Sequence, residues 1–74
     1  MNLSELQTKD IISIKDGRKI GRIIDVEINE MGTIKYFVVE PLHNIKNIFS
    51  RGDDFKVSFE SIEKIGSDVI LVNI

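Results

Sequence analysis

Two turn signals bracket the segment from Asp16 to Ile34 and constrain the fold more than any other feature of the chain. Asp16-Gly17 supplies the positive φ that a tight hairpin demands, and the run from Asn29 to Gly32 supplies a second, longer turn with glycine last. Between them apolar residues recur at period two, the spacing of a strand with one buried face. The segment therefore predicts a β-meander, with three strands before residue 41.

Composition points the same way. Fourteen isoleucines and six valines against no alanine favour a pleated, half-buried surface over a helix. A chain of 74 residues is expected to be a single domain spanning 1–74, small enough that every apolar strand face must be used. No cysteine is present, so neither a disulfide framework nor a thiolate metal site is available, and packing must hold the fold. The start, Met1-Asn2-Leu3-Ser4-Glu5-Leu6, lacks a cationic leader and an apolar core, and no window is long enough to cross a bilayer; a cytoplasmic location is the expectation. A net charge of −2 with interspersed signs disfavours direct, sequence-independent contact with nucleic acid.

Along the chain, Ser4 is placed to cap one helical turn that Leu3 and Leu6 pin against the sheet. A first strand is expected at about Asp10 to Lys15, with Ile12 and Ile14 on one face and Ile11 and Ser13 on the other. In the second, Ile24, Val26 and Ile28 are read as the core face and Ile23, Asp25 and Glu27 as the outer face, while Gly21 marks a bulge or a sharp bend. The third, Thr33 to Glu40, carries apolar residues on both faces. A fourth, Phe55 to Phe59, points Phe55, Val57 and Phe59 inward. Ser61-Ile62-Glu63 is read as a turn, and two last strands flank Gly66-Ser67-Asp68. The final run, Val69 to Ile74, is apolar on both faces, which implies either a central position or cover by a second subunit in a homodimer.

Leu3-Ser4-Glu5-Leu6-Gln7, the stretch from Asp16 to Asp25, Phe37-Val38-Val39-Glu40-Pro41, and Phe59-Glu60 leading into Ile65 to Val72 stand in an order that resembles the PRC-barrel domain, specifically the small stand-alone YlmC/YmxH family of sporulation-associated proteins. Phe59 stands where the resemblance places a tryptophan. The fold implied is all-β, a small PRC-barrel-like sheet of about six strongly bent antiparallel strands with the 41–54 loop closing one end. Related barrels occur as a cytoplasmic domain of the photosynthetic reaction-centre H subunit and in the C-terminal part of a ribosome-maturation factor, contexts that share docking and not chemistry. The resemblance thus implies a non-enzymatic adaptor that docks to a protein partner. Its alternatives are an accessory role in RNA processing or ribosome maturation, and a peripheral membrane-associated scaffold.

Two surfaces are candidates for that docking. In the loop, Leu42, Ile45, Ile48 and Phe49 have the spacing of a short amphipathic turn; Ile45, Ile48 and Phe49 either plug an open barrel end or, with Arg51, form an exposed patch for a protein or a membrane. Arg18, Lys19 and Arg22 cluster at the first hairpin, where they would meet an acidic partner or phosphates, or balance Asp16 and Asp25. His43 is the sole histidine and has no cysteine or second histidine to complete a triad or a metal site. Asp53, Asp54 and Asp68 lack the spacing of a calcium loop, and Asp25 with Glu27 reads as a solvated strand face. No catalytic residue, cofactor or metal is predicted.

Overall fold

The structure, a computed structural model, describes residues 1–42 and 54–74. A short helix, α1 (Leu3–Gln7), leads into β1 (Asp10–Ser13), β2 (Arg18–Ile28) and β3 (Ile34–Pro41). They are followed by β4 (Phe55–Ser58), a single 3₁₀ turn (Phe59–Ser61), β5 (Ile62–Ile65) and β6 (Val69–Val72). All six strands form one sheet in the order β4-β3-β2-β1-β6-β5, curled into a half-barrel. Its concave side holds Ile11, Ile20, Ile23, Phe37, Val39, Val57, Ile70 and Val72, each essentially inaccessible to solvent. Leu6, Val26, Ile34, Leu42, Phe55, Ile62 and Ile74 pack around them.

Both turn signals act as the sequence predicts. Gly17 and Gly32 have φ of 69° and 85°, and no other described residue leaves negative φ. Gly17 N–H donates to the Ser13 carbonyl at 2.7 Å, closing the hairpin. In the second turn the Asn29 side-chain oxygen accepts from the amides of Met31 and Thr33 at 2.9 and 3.0 Å, fixing the loop locally.

The facing of β2 differs from the strict alternation expected, because β2 carries two extra residues. Ile11 pairs with Gly21 but Ile12 with Lys19, so Ile20 is an insertion opposite β1. Ile23 pairs with Val39 but Asp25 with Val38, so Ile24 is an insertion opposite β3. Each bulge advances the alternation by one residue. Ile20, Gly21 and Ile23 therefore face inward, while Ile24 and Ile28 are 40% and 55% exposed. Of the three residues expected in the core, Val26 alone packs there, and Ile23 replaces Ile24. The carbonyl of the displaced Ile24 accepts from Gln7 Nε2 at 3.2 Å, which ties α1 to the bend.

Other boundaries shift for local reasons. Asn2, and not Ser4, caps α1: its side-chain oxygen accepts from the Glu5 amide at 2.9 Å and from the Ser4 hydroxyl at 2.8 Å. Leu6 packs on the core while Leu3 is 37% exposed, so one leucine anchors the helix. Phe59 belongs to the 3₁₀ turn, and its ring is 47% exposed instead of lying inward with Phe55 and Val57. Ser61 ends that turn, and Ile62 and Glu63 already belong to β5, so the turn expected at 61–63 lies earlier.

Four of the five strand pairings are antiparallel as expected; β1 and β6 run parallel. β6 thus lies between β1 and β5, which accounts for its two-sided apolar character within one chain: Ile70 and Val72 enter the core, and Val69 and Leu71 are half-buried on the outside. Three contacts fasten this junction. The Ser13 hydroxyl, 2% exposed, donates to the Ile74 carbonyl oxygen at 2.6 Å. Asp10 N–H donates to the Asp68 carbonyl. Lys9, 8% exposed, donates from Nζ to the carbonyls of Gly66 and Ser67, both at 2.7 Å.

At Gly21 the backbone of β2 lies close against β3. A Cβ there would overlap the Glu40 carbonyl and lie 2.9 Å from Val39 Cγ1. Gly21→Ala is expected to destabilise the fold by roughly 1–3 kcal/mol through this overlap. Gly17→Ala, at positive φ but with open space around it, is expected to lose about 1–2 kcal/mol from backbone strain alone. Urea unfolding of both variants checks the mechanism: a Gly21→Ala protein as stable as wild type would show that the strand contact is not tight.

Candidate functional site

The convex side of the half-barrel carries the outward-facing side chains of the described strands. Register places its side chains in rows that cross the strands. One row is Lys56, Val38 and Asp25; a second is Ser58, Tyr36 and Glu27; a third is Glu40, Arg22, Asp10 and Val69; a fourth is Lys19, Ile12, Leu71 and Lys64. The basic hairpin expected from sequence lies at the centre of this face. Arg22 and Lys19 converge there, while Arg18, paired with the inward-facing Ser13 at the start of β2, alternates to the other side of the strand.

Asp10 is what brings the two cations together, and sequence reasoning missed it. Its Oδ1 accepts from Arg22 Nε at 3.1 Å and lies 3.3 Å from Lys19 Nζ. Neither Asp16 nor Asp25, the carboxylates expected to balance the cluster, takes that part: the Asp25 carboxylate accepts from the Val26 amide at 2.8 Å at the bulge. The signal was present but uninterpretable, since an acid twelve residues from Arg22 becomes its neighbour only through the β1–β2 register. Two cations thus share one carboxylate, and Glu40 stands opposite Arg22 on the other side.

The Arg22 guanidinium, with Lys19 in support and burial opposing both, holds Asp10 below its ordinary value of 3.8. The Asp10 side chain is 26% exposed and its partners 57% and 45%, so solvent screens the pairs into the range of surface salt bridges.

A second polar cluster lies over β2, β3 and β4. Tyr36 Oη donates to Glu27 Oε2 at 2.6 Å, and Lys35 Nζ is 3.9 Å from the same oxygen. Lys56 Nζ is 4.7 Å from the Tyr36 ring centroid, a cation–π distance, and Tyr36, helped weakly by Glu27, raises Lys56 above its ordinary value of 10.5. These contacts account for Asp25 and Glu27 as outer-face residues with structural partners.

Ile45, Ile48, Phe49 and Arg51 lie outside the described residues, as do His43 and Asp53. Among the described residues no three His, Cys, Asp or Glu side chains come together as a metal site, and no helix is long and apolar enough to cross a membrane.

Comparison with known proteins agrees with this architecture: residues 1–74 match the PRC-barrel domain. The chain belongs to the PRC-barrel family. It is 32% identical over 75 residues to the "Probable sporulation protein YlmC" of Bacillus subtilis, covering 100% of this chain and 93% of the relative. It is 36% identical over 77 residues to the uncharacterised protein YmxH of the same organism, covering 100% and 89%. An uncharacterised protein of Clostridium acetobutylicum is 32% identical over 72 residues, covering 97% and 83%. The resemblance read from the ordered segments is thus shown at the level of the family.

The Asp10 pairing in this PRC-barrel carries a definite pH signature. A carboxyl lowered on folding stabilises the native state fully above its ordinary value and loses that contribution as the pH falls through the lower, folded value. Asp10→Asn is therefore expected to be less stable than wild type by up to about 1 kcal/mol at neutral pH. The gap should close as the pH falls from 3.8 downwards. Urea midpoints across pH test this, and a gap that widened in acid would contradict the assignment.

Proposed function

We propose that this PRC-barrel is a non-catalytic adaptor that docks to a protein partner in the cytoplasm. The observation that carries the reading is the outer face over β1 and β6. Ile12, Val69 and Leu71 are half-buried there, and Ile14, which continues the line of Ile12, is 43% exposed beside the basic hairpin. A small domain that needs its apolar residues for the core but keeps a line of them on the outside, next to Lys19 and Arg22, has the composition of a docking surface. The PRC-barrel family supports the binding reading, and the name of the relative YlmC, a probable sporulation protein, supports a setting in sporulation.

The net charge of −2, with both signs interspersed, favours a protein over RNA as the partner, because a polyanionic backbone draws its affinity from an excess of cations that this chain lacks.

Ile14→Asp tests the reading with little risk to the fold, because the side chain is exposed. Affinity capture from extracts of the cells that express the chain is expected to recover a protein partner, and the substitution should weaken its recovery about tenfold or more. Equal recovery by the folded variant would remove this face from the proposal. For the sporulation setting, deletion of the gene should lower the yield of heat-resistant spores, and an unchanged yield would remove that part.

A further inference from the structure

The fourth row of the convex face has a composition that defines its ligand. Ile12 of β1 pairs with Lys19 of β2 on one side and with Leu71 of β6 on the other, and Leu71 pairs in turn with Lys64 of β5. Ile12 lies outward because its neighbours Ile11 and Ser13 are buried, and Leu71 because Ile70 and Val72 are. Lys19 shares that face, as its contact with Asp10 requires. The row is thus an aliphatic pair with an ammonium group at each end, lengthened along the strands by Val69 and Ile14. Acids around the row include Asp10, already shared between Lys19 and Arg22, Asp16 at the hairpin, Glu63 on β5, Asp68 before Val69, and Glu40 opposite Arg22 in the next row.

We infer that this row binds an extended acidic segment of a protein partner, with an apolar side chain seated on Ile12 and Leu71 and a carboxylate reaching each of Lys19 and Lys64. The inference rests on the adaptor reading and specifies the partner's chemistry. Three strand spacings of about 4.8 Å put the two lysine backbones about 14 Å apart. In an extended chain rising about 3.3 Å per residue, side chains on one side recur every second residue, so positions i and i+4 are about 13 Å apart. The segment that fits is acidic–x–apolar–x–acidic.

Two other occupants fit less well. Nucleic acid would supply anions, but the centre of the row is aliphatic and offers no ring for a base to stack on. A second copy of this chain, placed face to face about a two-fold axis, would set lysine against lysine, since both ends of the row carry the same charge.

The test titrates the isotope-labelled full chain by NMR with short synthetic peptides containing Glu-Ser-Leu-Ser-Glu. Amide shifts are expected at Ile12, Lys19, Lys64 and Leu71. Binding should weaken about tenfold or more when the glutamates become lysines, when the leucine becomes serine, or in the exposed double variant Lys19→Glu/Lys64→Glu. No shift at about 1 mM acidic peptide would overturn the inference. So would equal binding of the lysine peptide, stronger shifts of the same amides by oligothymidylate, or a homodimer that buries them. Capture with Lys19→Glu/Lys64→Glu separates this inference from the reading beneath it. A partner retained by that variant and lost by Ile14→Asp removes the lysine row and keeps the adaptor. No partner recovered by any form removes the adaptor itself.

Discussion

The curl of the sheet depends on the course of β2 past its two neighbours. At Gly21 the backbone of β2 comes so close to Glu40 and Val39 that no side chain fits between them, and the bulge at Ile20 immediately precedes it. A bulge adds local right-handed twist and bends its strand. With a second bulge four residues later, β2 turns from its pairing with β1 toward its pairing with β3. One long strand thereby serves both halves of the sheet and makes a concave interior from a chain of only 74 residues. The bulges also set which isoleucines are core: Ile20 and Ile23 inside, Ile24 outside.

The other half of the sheet is held by polar contacts of the N-terminal segment. Lys9, Asp10 and Ser13 reach the β5–β6 turn and the last residues through main-chain acceptors, and they fasten the parallel β1–β6 junction. A parallel pair joins segments distant in sequence, here about sixty residues apart. Such a junction closes only after the chain ends meet, so side-chain bonds that fix its register add specificity where local turns contribute none. Lys9 is the notable case: a cation almost removed from solvent whose ammonium is satisfied by two carbonyls.

These constraints leave the convex face as the place where the proposed docking would occur. Asp10 sits between the packed junction and the surface, ordering Lys19 and Arg22 on one carboxylate while its own amide holds the β5–β6 turn. The same register sets aliphatic side chains between lysines. The interior is solid packing and the exterior is patterned, an arrangement suited to recognition by surface complementarity. Membership of the PRC-barrel family fits that division, and the proposed adaptor role follows from it.

The sequence by itself determined the fold class, the two glycine turns, the sites of all six strands apart from the start of β5, and the family, because these rest on local signals. Positive φ, period-two alternation and β-branched composition are properties of short windows. Only the tertiary structure decided what depends on register. Alternation is reset by each bulge, so the reading that placed Ile24 in the core failed while Val26 held its place, and Ile28 is exposed as the last residue of β2. The aromatic Phe59 fell outside because a 3₁₀ turn ended β4 one residue earlier than the pattern suggested. The cations at 18, 19 and 22 were legible as a basic hairpin, but their partner Asp10 was not, nor was the row that joins Lys19, Ile12, Leu71 and Lys64. Those neighbours come from four different strands, and nothing in a linear sequence states which residues a folded sheet will set side by side.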